Sequence, residues 1–553
     1  MKTSLLWLCG VLPALTWGGV GGGLLTSCTD WDDHYNHSEE TGGGSSQTLW
    51  QQLQADGQLS DFCQVLEQTK VFRMHKKTAV SYAQLLNSGQ SFTVIAPVNG
   101  SFNKDSLLQL VQTNQGDSLV EKFFVLNHLS RTISSMTADA KRLLLLNSKQ
   151  VDFGGGTVEG VAVSQANCIA KNGVMHVVNR PLPYLNNIYE SLCDLPEFSP
   201  IGQLLRQYDI DFFDEEASVS SGIVEGVPVY VDSVLVEYNN FLGYFSESTK
   251  QYYERAGLLA AEDSTYWMVA PTAAGWQKAW QTAEKYFVYD EEVKKRDSLQ
   301  QFYTAYALLG DAIYNMTNQK SVRDSLVSVK YNRMRPEYSV FYKPFEQGGV
   351  LANATPVTCS NGILYKTDEW PFTLEQAFFH ELWTEAEIQN YIVAEKDVNY
   401  NVRRVATDSI SEGAYLDIQP RTGTSNWELT FRINNTLSGN YDICAIVLPY
   451  SVYDKTATNV KPNKFRAYVN YVDEQGKAQS FDCDKKEFIP STERIDTVVL
   501  ASDFHFPTCN YAQSDIKVTV RLACSITARQ TSQYAREMFL DCIYLRPRTP
   551  KSE

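Results

Sequence analysis

Catalysis, metal binding and sugar capture each need particular side chains, so the residues that titrate, coordinate or stack come first. The seven histidines are His34, His37, His75, His128, His176, His380 and His505. His380-Glu381 begins like a zinc-protease pair, but position 384 is Thr, so no second imidazole follows one helical turn later. No Gly-x-Ser-x-Gly elbow and no phosphate-cradling glycine loop occurs. Asp and Glu total 64. A glycosidase needs two of them roughly 5 to 10 Å apart in space, which leaves no local mark in a sequence. The expectation is therefore a protein that is not an enzyme and that carries no metal and no cofactor. Binding chemistry is better represented. Sugar rings dock on aromatic faces with hydrogen bonds around them, and one segment interleaves Tyr238, Phe241, Tyr244, Phe245, Tyr252 and Tyr253 with Asn239, Asn240 and Glu247. These six aromatics are the candidate ligand-binding residues. The alternative is that their rings bury the segment against its own domain.

The elements that hold such residues must come from several domains, because 553 residues exceed a single core. A hydrophobic content of 43% with 20% charged residues describes globular units. The net charge of -16 comes without any Lys/Arg cluster that could neutralise a phosphate backbone, which argues against a nucleic-acid partner. Lys2 followed by Leu5-Leu6-Trp7-Leu8 and Val11-Leu12-Pro13-Ala14-Leu15 reads as a secretory signal. No later stretch offers about 18 uninterrupted apolar residues. Of eleven cysteines, Cys9 would leave with the signal, and five (Cys444, Cys483, Cys509, Cys524, Cys542) crowd the C-terminal segment. One or two disulfides are expected there in an exported domain.

Leu25-Thr26-Ser27-Cys28 resembles a bacterial lipobox, which implies cleavage after residue 27 and lipidation of Cys28. Thr29-Asp30-Trp31-Asp32-Asp33 is similar to the acidic stretch that follows the lipidated cysteine in surface-exposed lipoproteins of Bacteroidota. The resemblance implies an outer-membrane protein, lipid-anchored and facing the cell exterior. Residues 28–47, with Gly42-Gly43-Gly44-Ser45-Ser46, read as a flexible tether reaching on the order of 25 Å.

An internal repeat follows. The helix-like run from Leu49 through Phe62 matches Ile188 through Ile201 at an offset of 139 residues. Thr93-Val94-Ile95-Ala96-Pro97 matches Tyr266 to Pro271, and Asn172-Gly173-Val174-Met175 matches Asn361-Gly362-Ile363-Leu364. The offset grows to 189, so the second copy carries an insertion, placed near 214–262. These residues resemble fasciclin (FAS1) domains. Thr93 to Asn99 with Phe102 is similar to the family's first motif, Phe124 to His128 to its Tyr-His segment, and Asn172 to Val178 to its second motif. The resemblance implies one FAS1 domain over 48–185 and a divergent one over 187–372. In the second, Ala273 stands for the expected Asn, Ala307 for the first His and Tyr365 for the second. Independently of the family, a strand ending in Ala-Pro and an Asn-Gly turn into a second strand are structural devices. His128 and His176 accordingly read as hydrogen-bonded core residues.

From residue 383 to 553 the pattern changes to strands. Trp427 to Ile433 alternates apolar and polar residues, Ile443 to Leu448 is continuously apolar, and Val518, Val520 and Leu522 alternate again before Met538 to Leu545. Regular short strands predict a β-sandwich. Their order resembles jelly-roll, galactose-binding-like domains, a form shared by many carbohydrate-binding modules. The expected fold class is thus α+β: two tandem FAS1 domains followed by an all-β jelly-roll-like sandwich. The whole resembles fasciclin-containing lipoproteins that accompany SusC/SusD-like TonB-dependent importers. That implies capture of an extracellular polymer, a glycan in the first instance and a protein ligand next, as an accessory to such a transporter. Adhesion or scaffolding through the FAS1 domains is the alternative.

Overall fold

The computed structural model describes residues 46–549, except positions 74–75, 225–226, 247, 250, 319, 333–336, 408 and 484–485, and the side chains within 213–236 and 331–337. The expected signal peptide, Cys28 and nearly all of the expected tether lie outside the described residues. Among those residues no helix is long and apolar enough to cross a membrane.

The first unit opens on helix Leu49–Ala55, started by a capping box in which Thr48 and Gln51 satisfy each other's backbone N–H groups. The second unit repeats the device with Asn187 and Glu190 ahead of helix Ile188–Asp194. In each unit an apolar strand then pairs in parallel with a later one. Phe92–Pro97 runs beside Gly173–Val178, with Ile95 opposite His176, and Tyr266–Pro271 runs beside Gly362–Thr367, with Val269 opposite Tyr365. The first pair sits in a seven-stranded sheet and the second in a six-stranded one. Strand Phe92–Pro97 is buried on both faces: Phe92, Val94 and Ala96 meet the helices, while Ile95 meets Leu143, Val151 and Phe153 behind the sheet. That two-sided burial produces the unbroken apolar run in the sequence.

The Asn-Gly turns perform the same task twice. The Asn172 amide accepts from Leu49 N and donates to Leu86 O, Ser88 O and Gln90 O. Asn361 accepts from Ile188 N and donates to Leu259 O and Ala261 O. The glycine that follows has φ +147° at 173 and +145° at 362, and a Cβ would lie 1.9 Å from Phe92 O or 1.8 Å from Tyr266 O. Only glycine fits either place. Strand register also corrects one expectation. Leu129 pairs with Val94 and Ile313 with Met268, so Ala312, not Ala307, occupies the position of His128 in the second unit. Tyr365 does stand where His176 stands in the first.

The insertion forms two hairpins, Asp209–Val224 with Val227–Asn239 and Gly243–Ser246 with Gln251–Glu254. The C-terminal segment is a two-sheet antiparallel sandwich. One sheet orders Val398–Arg404, Ala414–Pro420, Met538–Arg548, Gly439–Leu448 and Asp496–Phe506, with Leu382–Glu385 also on the Met538–Arg548 strand. The other orders Ile392–Lys396, Glu428–Arg432, Thr519–Cys524, Phe465–Val472 and Ala478–Asp482. Trp427, Leu429, Phe431, Val520, Leu522 and Ile543 fill the space between them. The same core takes in Tyr286, Phe287 and Tyr289 of the second unit. Ser438 N donates to Tyr286 O and Cys509 N to Val288 O, and the Lys517 ammonium pairs with the fully buried Asp290. The second unit and the sandwich therefore share one hydrophobic interior.

No disulfide forms among the described cysteines, against the expectation of one or two. Cys483, Cys509 and Cys524 are small apolar members of the inter-sheet core, and Cys444 and Cys542 pack with Tyr544 and Trp383 on one sheet. Burial pushes the Cys524 thiol up to about 11 and Cys509 to about 12. These cysteines act as packing atoms.

Candidate functional site

The hairpin geometry divides the six candidate aromatics. Phe241 is fully buried against Tyr208 and Phe302, inside the core of the second unit and out of a ligand's reach. Tyr238 stacks on Tyr252 with centroids 4.3 Å apart, and Phe245 lies 4.2 Å from Phe212. The Tyr252 hydroxyl is spent on Asn239 O. Alternation along Gly243–Ser246 and Gln251–Glu254 sends Phe245 and Tyr252 to that inner face and Tyr244 and Tyr253 to the outer one. Only Tyr244 and Tyr253 are well exposed, at 43% and 36%, stacked on one another with the Arg255 guanidinium over Tyr244. Most of this aromatic cluster holds the insertion together. Glu247 lies outside the described residues.

A concave site lies elsewhere, at one pole of the sandwich. Strand Gly439–Leu448 starts against the second unit and ends, at Val447 and Leu448, in a pocket of about 310 Å³. The loop 449–463, residues 490–492 and residues 535–539 complete it. Its apolar lining is Val447, Pro449, Met538 and Phe539, with the Tyr450 ring stacked on Phe539 at 5.4 Å and 20°. Its polar lining is Thr458, Asn459, Asn463, Ser491 and Thr492, with Lys461 and Glu537 as charges of opposite sign.

The loops are braced from beneath. The buried Lys464 ammonium donates to Glu487 Oε2 and Gln530 Oε1, Lys461 donates to Thr531 O, and Asn463 Nδ2 donates to Ala535 O. Asn463 Oδ1 is buried and accepts no hydrogen bond within the protein. Apolar surface together with amides and hydroxyls is the chemistry that holds a polyhydroxylated ring. Sequence reasoning missed this pocket because its residues are separated by up to about ninety positions. The available signal was Pro449, Pro462 and Pro490, each of which ends or precedes a strand at the same pole.

A second polar cluster lies where strand Leu382–Glu385 pairs with Met538–Arg548. Asp541 and Glu412 raise the proton affinity of both Glu385 and Glu387, and Glu387 adds to the effect on Glu385. Burial, with those neighbouring carboxylates, lifts Glu385 to about 7, although the Ser411 hydroxyl donates to its Oε1 at 2.9 Å. Burial lifts Asp541 to about 6. Glu385 Oε2, Glu387 Oε2 and Asp541 Oδ1 have no hydrogen-bond partner. Among the described residues no group of three or more His, Cys, Asp or Glu side chains is arranged to hold a metal ion.

Residues 58–184 match the fasciclin domain family. The first unit is a fasciclin domain. No curated protein matches the chain. Among solved structures, the FAS1 domain pair of the insect cell adhesion molecule Fasciclin I is 13% identical, covers 52% of this chain and 90% of its own, and has a TM-score of 0.18. The CBM22-1 xylan-binding domain of Paenibacillus barcinonensis Xyn10C is 13% identical over 31% of this chain and 93% of its own, with a TM-score of 0.20. The CBM22-1 and GH10 modules of Clostridium thermocellum xylanase Xyn10B are 8% identical over 30% of this chain and 26% of their own, with a TM-score of 0.18.

His128 and His176 of the fasciclin domain are structural. His128 is fully buried, its Nδ1 bonding Phe124 O and its Nε2 accepting from Leu182 N, and burial lowers its pKa to about 4. His176 bonds Ser134 O and is likewise lowered by burial. The fasciclin domain is clasped to the second unit by Lys149, whose ammonium reaches Glu190 at 2.7 Å, Glu262 at 2.6 Å and Ser360 at 3.1 Å. Burial works to raise Glu190, but the Lys149 and Lys122 charges prevail and hold it at about 2.

Proposed function

We propose that this protein is a cell-surface lipoprotein that captures an extracellular glycan as an accessory to a SusC/SusD-like TonB-dependent importer. The observation that carries the reading is the sandwich pocket, lined by apolar residues together with amides and hydroxyls. Cys28 is the anchor in this reading. The second unit is a divergent second fasciclin domain, supported by its parallel pair and by an Asn-Gly turn that makes the same bonds as in the first. The sandwich is a galactose-binding-like jelly roll.

The test is a glycan array with the soluble protein starting after Cys28, run beside Thr458→Trp, which fills the pocket from an exposed rim position. Saturable binding that the variant loses supports capture in the pocket. Binding that survives in the variant moves the site to another face, Tyr244 and Tyr253 first. Silence across the array overturns glycan capture and favours adhesion through the fasciclin domain, which is then tested by protein pulldown.

A further inference from the structure

Resting on that reading, we propose that the pocket takes the terminal residue of a neutral glycan end-on, rather than an internal stretch of chain.

Size is the first argument. The 310 Å³ volume is at the bottom of the roughly 300–1,000 Å³ range of small-molecule pockets. With each liquid water taking about 30 Å³, it holds on the order of ten waters, the space of one pyranose ring with its substituents and part of a second. The second argument is placement. A site for an internal stretch runs across a sheet face, whereas this one is lined by residues of the loop 449–463, by 490–492 and by 535–539, at the ends of strands. Val447 and Met538 reach its lining from the inter-sheet core and Phe539 from the other face of the same sheet.

Charge is the third argument. The pocket sets one ammonium, Lys461, against one carboxylate, Glu537, so its lining is neutral overall. Lys461 is also occupied by Thr531 O, and Lys464 behind it by Glu487, which leaves no concentrated positive charge to select a uronate or a sulfate. The amide of Asn459 and the hydroxyls of Thr458, Ser491 and Thr492 match a ring that offers several hydroxyl groups.

The experiment is calorimetry on the intact soluble protein. The probes are glucose, galactose, mannose and xylose as methyl glycosides, and neutral linear oligosaccharides of each from two to six residues. For the sugar that binds, affinity should stay within about threefold from the disaccharide to the hexasaccharide, because added rings lie outside the pocket and make no new contact. Capping the non-reducing end or the reducing end with a bulky group should abolish binding at one end and spare it at the other. Thr458→Trp should lose binding at every length while keeping its thermal unfolding transition. An affinity that climbs tenfold or more with length, with both capped forms still bound, overturns end-on capture and leaves glycan capture standing. Absence of binding at every length overturns both.

Discussion

Removing one charge from the cluster of Glu385, Glu387 and Asp541 should make the protein more stable at alkaline pH. Glu385 sits at about 7 when folded, against an ordinary value of 4.5. A group raised in this way favours the folded state only while it is protonated. Its contribution is intact below about 4.5 and is lost as pH rises through about 7. The interval of about 2.5 units, at about 1.4 kcal/mol per unit, corresponds to about 3 kcal/mol of strain at pH 8. Glu385→Gln keeps the shape and leaves an amide oxygen to accept from Ser411, so it should recover part of that, about 1 to 3 kcal/mol at pH 8, and almost nothing at pH 4.5. Differential scanning calorimetry of both proteins at the two pH values measures the difference. Asp541, at about 6, and Glu387, also raised, shift in the same direction, so the wild-type protein should lose stability between pH 5 and 8 more steeply than the variant. A variant less stable than wild type at pH 8 would refute the reasoning. It would mean that the ionised carboxylate meets a positive partner in the folded protein, and repeating the scan with a chelator would tell a bound cation from a side chain.

Three further outcomes follow from packing. Lys149→Met leaves Glu262 without its cation and Glu190 with Lys122 alone, which should cost about 3 kcal/mol and lower the thermal unfolding transition by calorimetry. Because Glu190 is held at about 2, its contribution is present above about 4.5 and is lost as pH falls through about 2, so most of the deficit of Lys149→Met should still be measured at pH 4. Thiol titration of the soluble protein in denaturant without reductant should find nine reactive cysteines, and added reductant should not shift its unfolding transition. A fragment of residues 383–553 alone should aggregate or unfold early by light scattering and calorimetry, because it exposes the apolar surface that Tyr286, Phe287 and Tyr289 cover.

Legibility in the sequence followed how strictly the backbone dictates a residue. Asn172-Gly173 and Asn361-Gly362 could be read as repeat markers because a Cβ would strike a carbonyl oxygen at either glycine and the amide ties together segments from elsewhere in its unit. The alternating strand around Leu429 and Phe431 was legible because one face meets the core and the other does not. The first histidine position of the second unit was misplaced by five residues, since the length of helix Arg296–Leu309 and the turn after it leaves no periodic mark. The aromatic insertion misled for a different reason. Rings that stack on a ligand and rings that stack on each other have the same composition, and only the inward or outward register of a short hairpin separates Tyr252 from Tyr253. Glu385 and Asp541 come together because the first and last strands of the sandwich pair, with Glu385 opposite Cys542, which no spacing reveals.

Strand direction settles where the pocket stands in the molecule. Gly439–Leu448 leaves the contact with Tyr286 and Phe379 and reaches the pocket ten residues later, about 30 Å away at about 3.3 Å per residue. Asp496–Phe506 and Met538–Arg548 run antiparallel to it, beginning near the pocket and ending toward the second unit. The junction end is fixed by a shared core and the Lys517–Asp290 pair, and the fasciclin domain is fixed to the second unit by Lys149. If the residues before 48 tether the protein as proposed, these contacts couple their motion to the pocket end of the sandwich. The pocket is at the pole opposite the joint with the second unit, so a ligand entering it meets the loops 449–463 and 490–492 and not the fasciclin domain. Loosening the Lys149 clasp should then leave the intrinsic affinity of the pocket unchanged while altering capture by the anchored protein, a separation that comparing soluble and membrane-bound Lys149→Met would expose.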